Sequence, residues 1–278
     1  MEDSRFSTFI LLGSAIIMAT ILALPSEGSS SLIMWVIHRV GVFADTLFHE
    51  MGHAVFGWLY GMPMIPMIFT VIGADQAGGM TIPLGPRTWF MQIVALVLLA
   101  AFCKRLRSID SYYFYPFTLL FIFIAITCAS GYHSEVISYM GHGGAVLAAG
   151  ILLFKAFANV NMRSSVERWL NAFFGFFLIL DNFFFSYGLI FNKAKKFEYT
   201  THQAFGTSHN DFVAITHTIP SLTVDNIAWF TIFLCIAMVV IAAYLTYKVY
   251  DEVEVMEDQE VTQKIDELKN MEEPTSNF

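Results

Sequence analysis

Long apolar runs constrain the fold of this chain more than any other feature. Several of them reach the ~20 residues that a helix needs to cross a bilayer. The chain is 56% hydrophobic and only 14% charged, whereas water-soluble domains are ~25% charged. The sequence therefore predicts an all-α polytopic membrane protein with about seven transmembrane helices, the count lying between six and eight. The seven runs cover about residues 6–24, 32–60, 89–103, 112–129, 135–157, 170–191 and 226–247.

The segment between the second and third runs has a different pattern. Residues 61–87 read "GMPMIPMIFTVIGADQAGGMTIPLGPR", and their prolines and glycines exclude a long helix. Within them, "MIFTVIG" and "GGMTIP" are typical of two short strands that pair. Irregular backbone at membrane depth is tolerated where it is buried in protein or lines a cavity. We therefore expect this strand-like loop to pack against a functional site.

The formal net charge of -8 comes from the C-terminal segment. Residues 250–278 hold ten acidic side chains against two lysines, so this segment alone carries -8. We divide the chain into a membrane-embedded unit, residues 1–248, and an acidic tail, residues 249–278, expected to be disordered or loosely helical. Basic loops after the third and fifth runs place the tail in the cytoplasm, where it either solubilises the protein or binds a partner. Nothing in the charge pattern indicates nucleic acid.

The second run contains the sequence His49-Glu50-Met51-Gly52-His53. Positions i and i+4 of a helix share one face, so both imidazoles can bind one Zn²⁺, with Glu50 as the general base for an activated water. A glutamate in the bilayer costs ~2.5 kcal/mol or more, which favours a functional role. The structural alternative pairs Glu50 with Arg39 and leaves the histidines as interhelical hydrogen-bonding groups.

The stretch "HEMGHAVFGWLYG", followed by "GADQAGGMT", resembles the membrane-embedded zinc metallopeptidases of the site-2 protease class (peptidase family M50, M50B-like branch). The similarity covers about residues 46–81 and includes a G-G-x-T segment. It implies an intramembrane zinc metalloendopeptidase in a bacterial plasma membrane, whose substrate is a transmembrane protein. It also implies that His49 and His53 are zinc ligands and that Glu50 is the catalytic base.

The resemblance leaves three candidates for the third zinc ligand. Site-2 proteases supply an aspartate from an L-D-G motif, and this chain has Leu180-Asp181-Asn182 without the glycine. The M50B-like branch has a G-S-D segment, which "GTSHNDFVAITHTIP" resembles with two residues inserted before Asp211. We expect Asp211 to be the ligand, with Asp181 as the alternative and His142 as a third option. Without a metal, Asp211 would be a helix N-cap.

Two other functions would use the same residues. The first is a zinc-dependent hydrolase that acts on a lipid amide. The second is a catalytically degenerate membrane scaffold or metal-binding protein, because the L-D-N sequence and the displaced aspartate both depart from the family pattern.

Overall fold

The computed structural model describes residues 2–23, 32–70, 77–107, 111–160, 162–201 and 210–272. These residues form nine α-helices and a two-stranded sheet. The strands are β1 (Met64–Thr70) and β2 (Ala77–Pro83). The helices are α1 (Glu2–Ala23), α2 (Leu32–Leu59), α3 (Trp89–Arg107), α4 (Ser111–Ser130), α5 (His133–Ala158), α6 (Ser165–Phe191), α7 (Lys193–Thr201), α8 (Asp211–Thr218) and α9 (Val224–Glu272).

Each of the seven apolar runs falls on a helix, namely α1 to α6 and α9. Within the described residues, three helices are long and apolar enough to cross a membrane: α5, α6 and the Val224–Asp251 part of α9. Shorter apolar stretches lie in α1, α3 and α4. The mostly helical fold is thus confirmed and is compatible with a membrane location. The count of about seven spans remains a prediction.

Large apolar side chains cover much of the outer surface. On α9, Phe233, Ile236 and Val240 are each more than half exposed. On α3, Val97 and Leu98 are exposed to a similar degree. Water-soluble monomers rarely display extended apolar surface of this kind, so these faces suit contact with lipid.

Helix α5 is the centre of the packing, because it contacts α2, α6, α8 and α9. Its closest neighbour is α2. A Cβ atom added to Gly144 of α5 would lie 2.6 Å from the Cα of Gly52 of α2, and one added to Gly52 would collide with the carbonyl oxygen of Met140. Small residues at a helix crossing let two backbones approach in this way.

The two strands form an antiparallel hairpin whose register runs from Met64 opposite Pro83 to Thr70 opposite Ala77. The predicted pairing of two strands is therefore confirmed, although the first strand begins at Met64 and not at Met67; residues 71–73 of the predicted strand lie outside the described residues. The hairpin packs against α2, because α2 ends in a sharp turn. Gly61, with φ of 78°, donates its N–H to Trp58, and the next N–H returns to Gly57. This is the hydrogen-bonding pattern of a Schellman motif, which favours glycine at its left-handed position.

The acidic tail begins as a continuation of α9. The helix runs as far as Glu272, and residues 273–278 lie outside the described residues. The sequence allowed either a disordered or a loosely helical tail, and the backbone of residues 249–272 is helical. The cytoplasmic location of the tail remains a prediction.

The α2–α5 crossing predicts a difference between two identical substitutions. Gly52→Ala places a Cβ against the backbone of α5, whereas Gly13→Ala in α1 meets nothing within 4 Å. We expect Gly52→Ala to lower the free energy of unfolding by about 1–3 kcal/mol. Gly13→Ala should be neutral or raise it by up to about 1 kcal/mol. Unfolding in mixed micelles measures both, and equal stability of the two variants would contradict the close crossing.

Candidate metal centre

Three helices bring five ionisable side chains to one cavity of ≈ 440 Å³. Helix α2 supplies His49, Glu50 and His53, α5 supplies His142, and α8 supplies Asp211. Residues of β1, β2, α6 and α7 complete the walls. The predicted histidines, the predicted base and the expected aspartate therefore share one cavity, although Asp211 lies far from the others in sequence.

Three donor atoms of these residues lie close to one another. The Oδ2 atom of Asp211 lies 2.9 Å from Nε2 of His49 and 3.3 Å from Nε2 of His53. The two Nε2 atoms are 3.1 Å apart. A tetrahedral Zn²⁺ with bonds of ~2.0–2.1 Å needs donor atoms roughly 3.3–3.4 Å apart. The three atoms thus lie at nearly the spacing that one metal ion requires.

The tautomer of His53 is fixed by α5. Its Nδ1 atom lies 2.7 Å from the carbonyl oxygen of Ile137. Since a carbonyl oxygen can only accept, Nδ1 carries the proton and donates it. In the neutral form of the ring, which binds metals, Nε2 then carries the lone pair, on the side where His49 and Asp211 lie. Metal-binding histidines characteristically donate their second ring N–H to a partner of this kind.

The backbone of α5 leaves room for an ion. A Cβ atom added to Gly141 would lie 2.5 Å from Nε2 of His49 and would also collide with Nε2 of His53. Glycine at this position keeps the space beside the donor atoms free of side chains. Two imidazoles and one carboxylate are a donor set that suits Zn²⁺ and similar divalent ions. The residues present therefore fit a metal ion.

Glu50 lies beside the donor atoms and is held by the hairpin. Its Oε2 atom accepts a hydrogen bond of 2.6 Å from Oγ1 of Thr81, and the residue is only 6% exposed. A Cβ atom added to Gly79 would lie 2.5 Å from Oε1 of Glu50. The described hydrogen-bond partner of Glu50 is thus a hydroxyl group of β2. The G-G-x-T segment of the resemblance supplies both Gly79 and Thr81.

Asp211 is the first residue of α8, and the N-cap is Asn210. The N-cap alternative for Asp211 is therefore wrong by one position. Burial on its own would raise the pKa of Asp211, but His53 and His49 hold it well below its usual range. Burial and the nearby Asp211 raise the pKa of Tyr199. The hydroxyl group of Tyr199, which accepts the N–H of Phe212, accordingly stays protonated.

The alternative ligand, Asp181, is not among the residues that line the cavity. It interacts with Asp45 of α2 and with Lys195 of α7 instead. Consecutive side chains of a helix point ~100° apart, and α6 directs Asn182, not Asp181, towards His142. The sequence analysis assigned no role to Asn182. The one indication of a role was that Asn182 occupies the position of the glycine in the L-D-G motif.

His142 forms a second donor set that overlaps the first. Its donor atom and those of His49 and Asp211 all lie within 4.8 Å of one another. The distances are shorter in the set that contains His53. We therefore regard His49, His53 and Asp211 as the inner donors and His142 as an additional one.

Comparisons with known proteins do not assign the chain to a family. No family model matches it, and no curated protein or solved structure matches it significantly. The resemblance to site-2 proteases rests on the motif residues alone and stays a prediction.

The donor geometry predicts which substitutions remove a metal. We expect about one divalent ion per wild-type chain, and its loss in His49→Ala and Asp211→Ala, because each removes an inner donor. Asp181→Ala should retain the ion, since Asp181 lies outside the cavity lining. Elemental analysis of protein purified in mild detergent measures all four. Loss of metal in Asp181→Ala but not in Asp211→Ala would reverse the assignment.

Proposed function

We propose that the protein is an intramembrane zinc metalloprotease that hydrolyses a peptide bond in or near a transmembrane segment of a protein substrate. One observation carries this proposal. The two histidines of the H-E-x-x-H motif and Asp211 converge on one point, and the motif glutamate lies in the same cavity. The proposed location is a multi-pass position in a bacterial plasma membrane, as the resemblance implies.

Each residue has a defined part in this proposal. His49, His53 and Asp211 would hold the zinc, which when bound polarises a carbonyl group and lowers the pKa of a water molecule to ~7. Glu50 accepts the proton of the attacking water and returns it to the leaving amine. Thr81 orients the carboxylate of Glu50 through the 2.6 Å hydrogen bond. The chemistry thus needs no residue from outside the cavity.

Burial strengthens these electrostatic effects. Glu50 and His53 are 6% and 8% exposed, so water screens them little. Preorganised charges and dipoles act more strongly on a developing charge where water is excluded. The hydrogen bonds from Thr81 and to Ile137 hold Glu50 and His53 before a substrate arrives.

The hairpin favours a peptide over a lipid amide as the substrate. Gly79, Met80 and Thr81 of β2 line the cavity, so a strand forms part of the cavity wall beside Glu50. Within the described residues the sheet has only two strands, and an extended peptide can add to the edge of a sheet through main-chain hydrogen bonds. A helical substrate hides its carbonyl groups, and an extended one presents them. A lipid amide gains nothing from a strand.

The proposed role of Glu50 predicts a separation of activity from metal binding. Glu50→Gln removes the base but no inner donor, so we expect proteolysis to fall by about 10²–10⁴-fold with the metal retained. Glu135→Gln is the matched control, because Glu135 is also a buried acid but does not line the cavity. Cleavage of a membrane-peptide substrate and metal content measure both. Full activity in Glu50→Gln would favour the degenerate scaffold.

The position of the hairpin predicts a second variant in which proteolysis falls while the metal is retained. Gly79→Val fills the space beside the carboxylate of Glu50, whereas Gly85→Val meets nothing within 4 Å. We expect Gly79→Val to lower proteolysis by at least about tenfold, because misplacing a catalytic group by about 1 Å costs up to about a hundredfold. Gly85→Val should leave proteolysis unchanged. Both variants should retain the metal, and undiminished cleavage by Gly79→Val would argue against the role given to β2.

A further inference from the structure

His142 is a titratable side chain of the cavity to which the proposed reaction gives no part. Its ring stacks on Phe185, with ring centroids 4.7 Å apart and planes at 17°. The same ring meets His49 edge-on, with centroids 4.6 Å apart and planes at 88°. The ring of His142 therefore lies between Phe185 of α6 and His49 of α2.

The hydrogen bonds of Asn182 determine which nitrogen of His142 carries the proton. The Nδ2 atom of Asn182 lies 2.9 Å from the carbonyl oxygen of Leu178, which can only accept, so the amide nitrogen must point there. The Oδ1 atom of Asn182 then faces Nδ1 of His142 at 2.8 Å. An amide oxygen also only accepts, so Nδ1 of His142 is the donor. In the neutral ring, Nε2 consequently presents a lone pair.

The orientation of Asn182 is itself fixed. The residue is 1% exposed, and its Nδ2 atom also donates to Oδ1 of Asp45 at 3.2 Å. A flipped amide would set its oxygen against the carbonyl oxygen of Leu178 and leave Nδ1 of His142 facing an NH₂ group. The chain of bonds from Asp45 through Asn182 thus holds His142 in the form that metal-binding imidazoles take.

The donor atom of His142 lies farther out than the inner donors. The inner three are separated by 2.9 to 3.3 Å, whereas the set that includes His142 spans up to 4.8 Å. Structural zinc sites have four protein donors, and catalytic sites have three and an open position. This cavity holds three close donors and one more distant, correctly protonated donor.

We propose that His142 is a fourth protein donor to the metal in the resting protein, and that it is the donor that yields when a substrate enters. The inference rests on the metal centre of the proposed function. The proposed reaction needs an open position on the metal, and the outermost of the four donor atoms is that of His142. Asn182 is a positioning residue that accepts the N–H of Nδ1 of His142 and so leaves the lone pair on Nε2. The resting centre is thereby closed to water until His142 leaves.

X-ray absorption spectroscopy of zinc-loaded protein tests this proposal without any assay of activity. We expect three imidazole ligands in the wild type and two in His142→Ala, together with zinc affinity weakened by at least about tenfold in a chelator competition. His217→Ala is the matched control, because His217 is an exposed histidine outside the cavity lining. It should keep three imidazoles and wild-type affinity.

A second variant keeps the test decisive if His142→Ala does not fold. Asn182→Leu preserves the size of the side chain but removes the acceptor of the His142 N–H. Loss of such a partner weakens metal binding by about 10–100-fold, and we expect a loss in that range. The electronic spectrum of the Co²⁺-substituted protein should also shift towards that of a centre with fewer nitrogen donors.

Two imidazoles in the wild type, with zinc affinity unchanged in His142→Ala and Asn182→Leu, would overturn the role of His142. If zinc were still lost in His49→Ala and Asp211→Ala, the metal centre and the proposed function would stand. A folded wild type that binds no zinc would overturn both. The two failures are therefore distinguishable.

Discussion

The close crossing of α2 and α5 is the contact on which the rest of the structure depends. Gly52 and Gly144 let the two backbones approach until no side chain separates them. The same crossing brings the carbonyl oxygen of Ile137 within 2.7 Å of His53 and lays Gly141 beside the donor atoms. The packing and the site thus depend on the same helix. Helix α5 buries the motif, fixes the proton of His53 on Nδ1 and leaves room for an ion beside Gly141.

Polar groups inside an apolar fold are stable only if they are paired, and here the pairing also sets the chemistry. Thr81 bonds Glu50, Ile137 bonds His53, and Asn182 bonds His142. Each bond has a defined direction, because its partner can only donate or only accept in that setting. The positions of the protons, and so of the lone pairs, therefore follow from the backbone and from one buried amide.

The sequence predicted those features that depend on local spacing. The H-E-x-x-H motif placed His49, Glu50 and His53 on one helical face, and the prolines and glycines after it predicted the hairpin. Asp211 came from a resemblance, because nothing in the pattern of residues joins α8 to α2. Whether α6 directs Asp181 or Asn182 towards His142 depends on the rotation of α6 about its own axis relative to its neighbours. Packing sets that rotation, and a single sequence does not show it. For the same reason the sequence does not show that donor atoms of His142 and Asp211 lie within 4.8 Å of each other.

The helix that carries the carboxylate donor affects how the candidate metal centre can open. A donor on α6 would be fixed by a long helix that packs along α5 and α9. Asp211 instead begins α8, a helix of eight residues. The flanks of α8 are fastened by the bond between the N–H of Phe212 and Tyr199, and by the ion pair of Lys196 with Asp225 at 2.7 Å. The inner donors thus combine a rigid pair on α2 with one carboxylate on a short connecting segment. A displacement of α8 would withdraw the carboxylate of Asp211 without unpacking the crossing of α2 and α5.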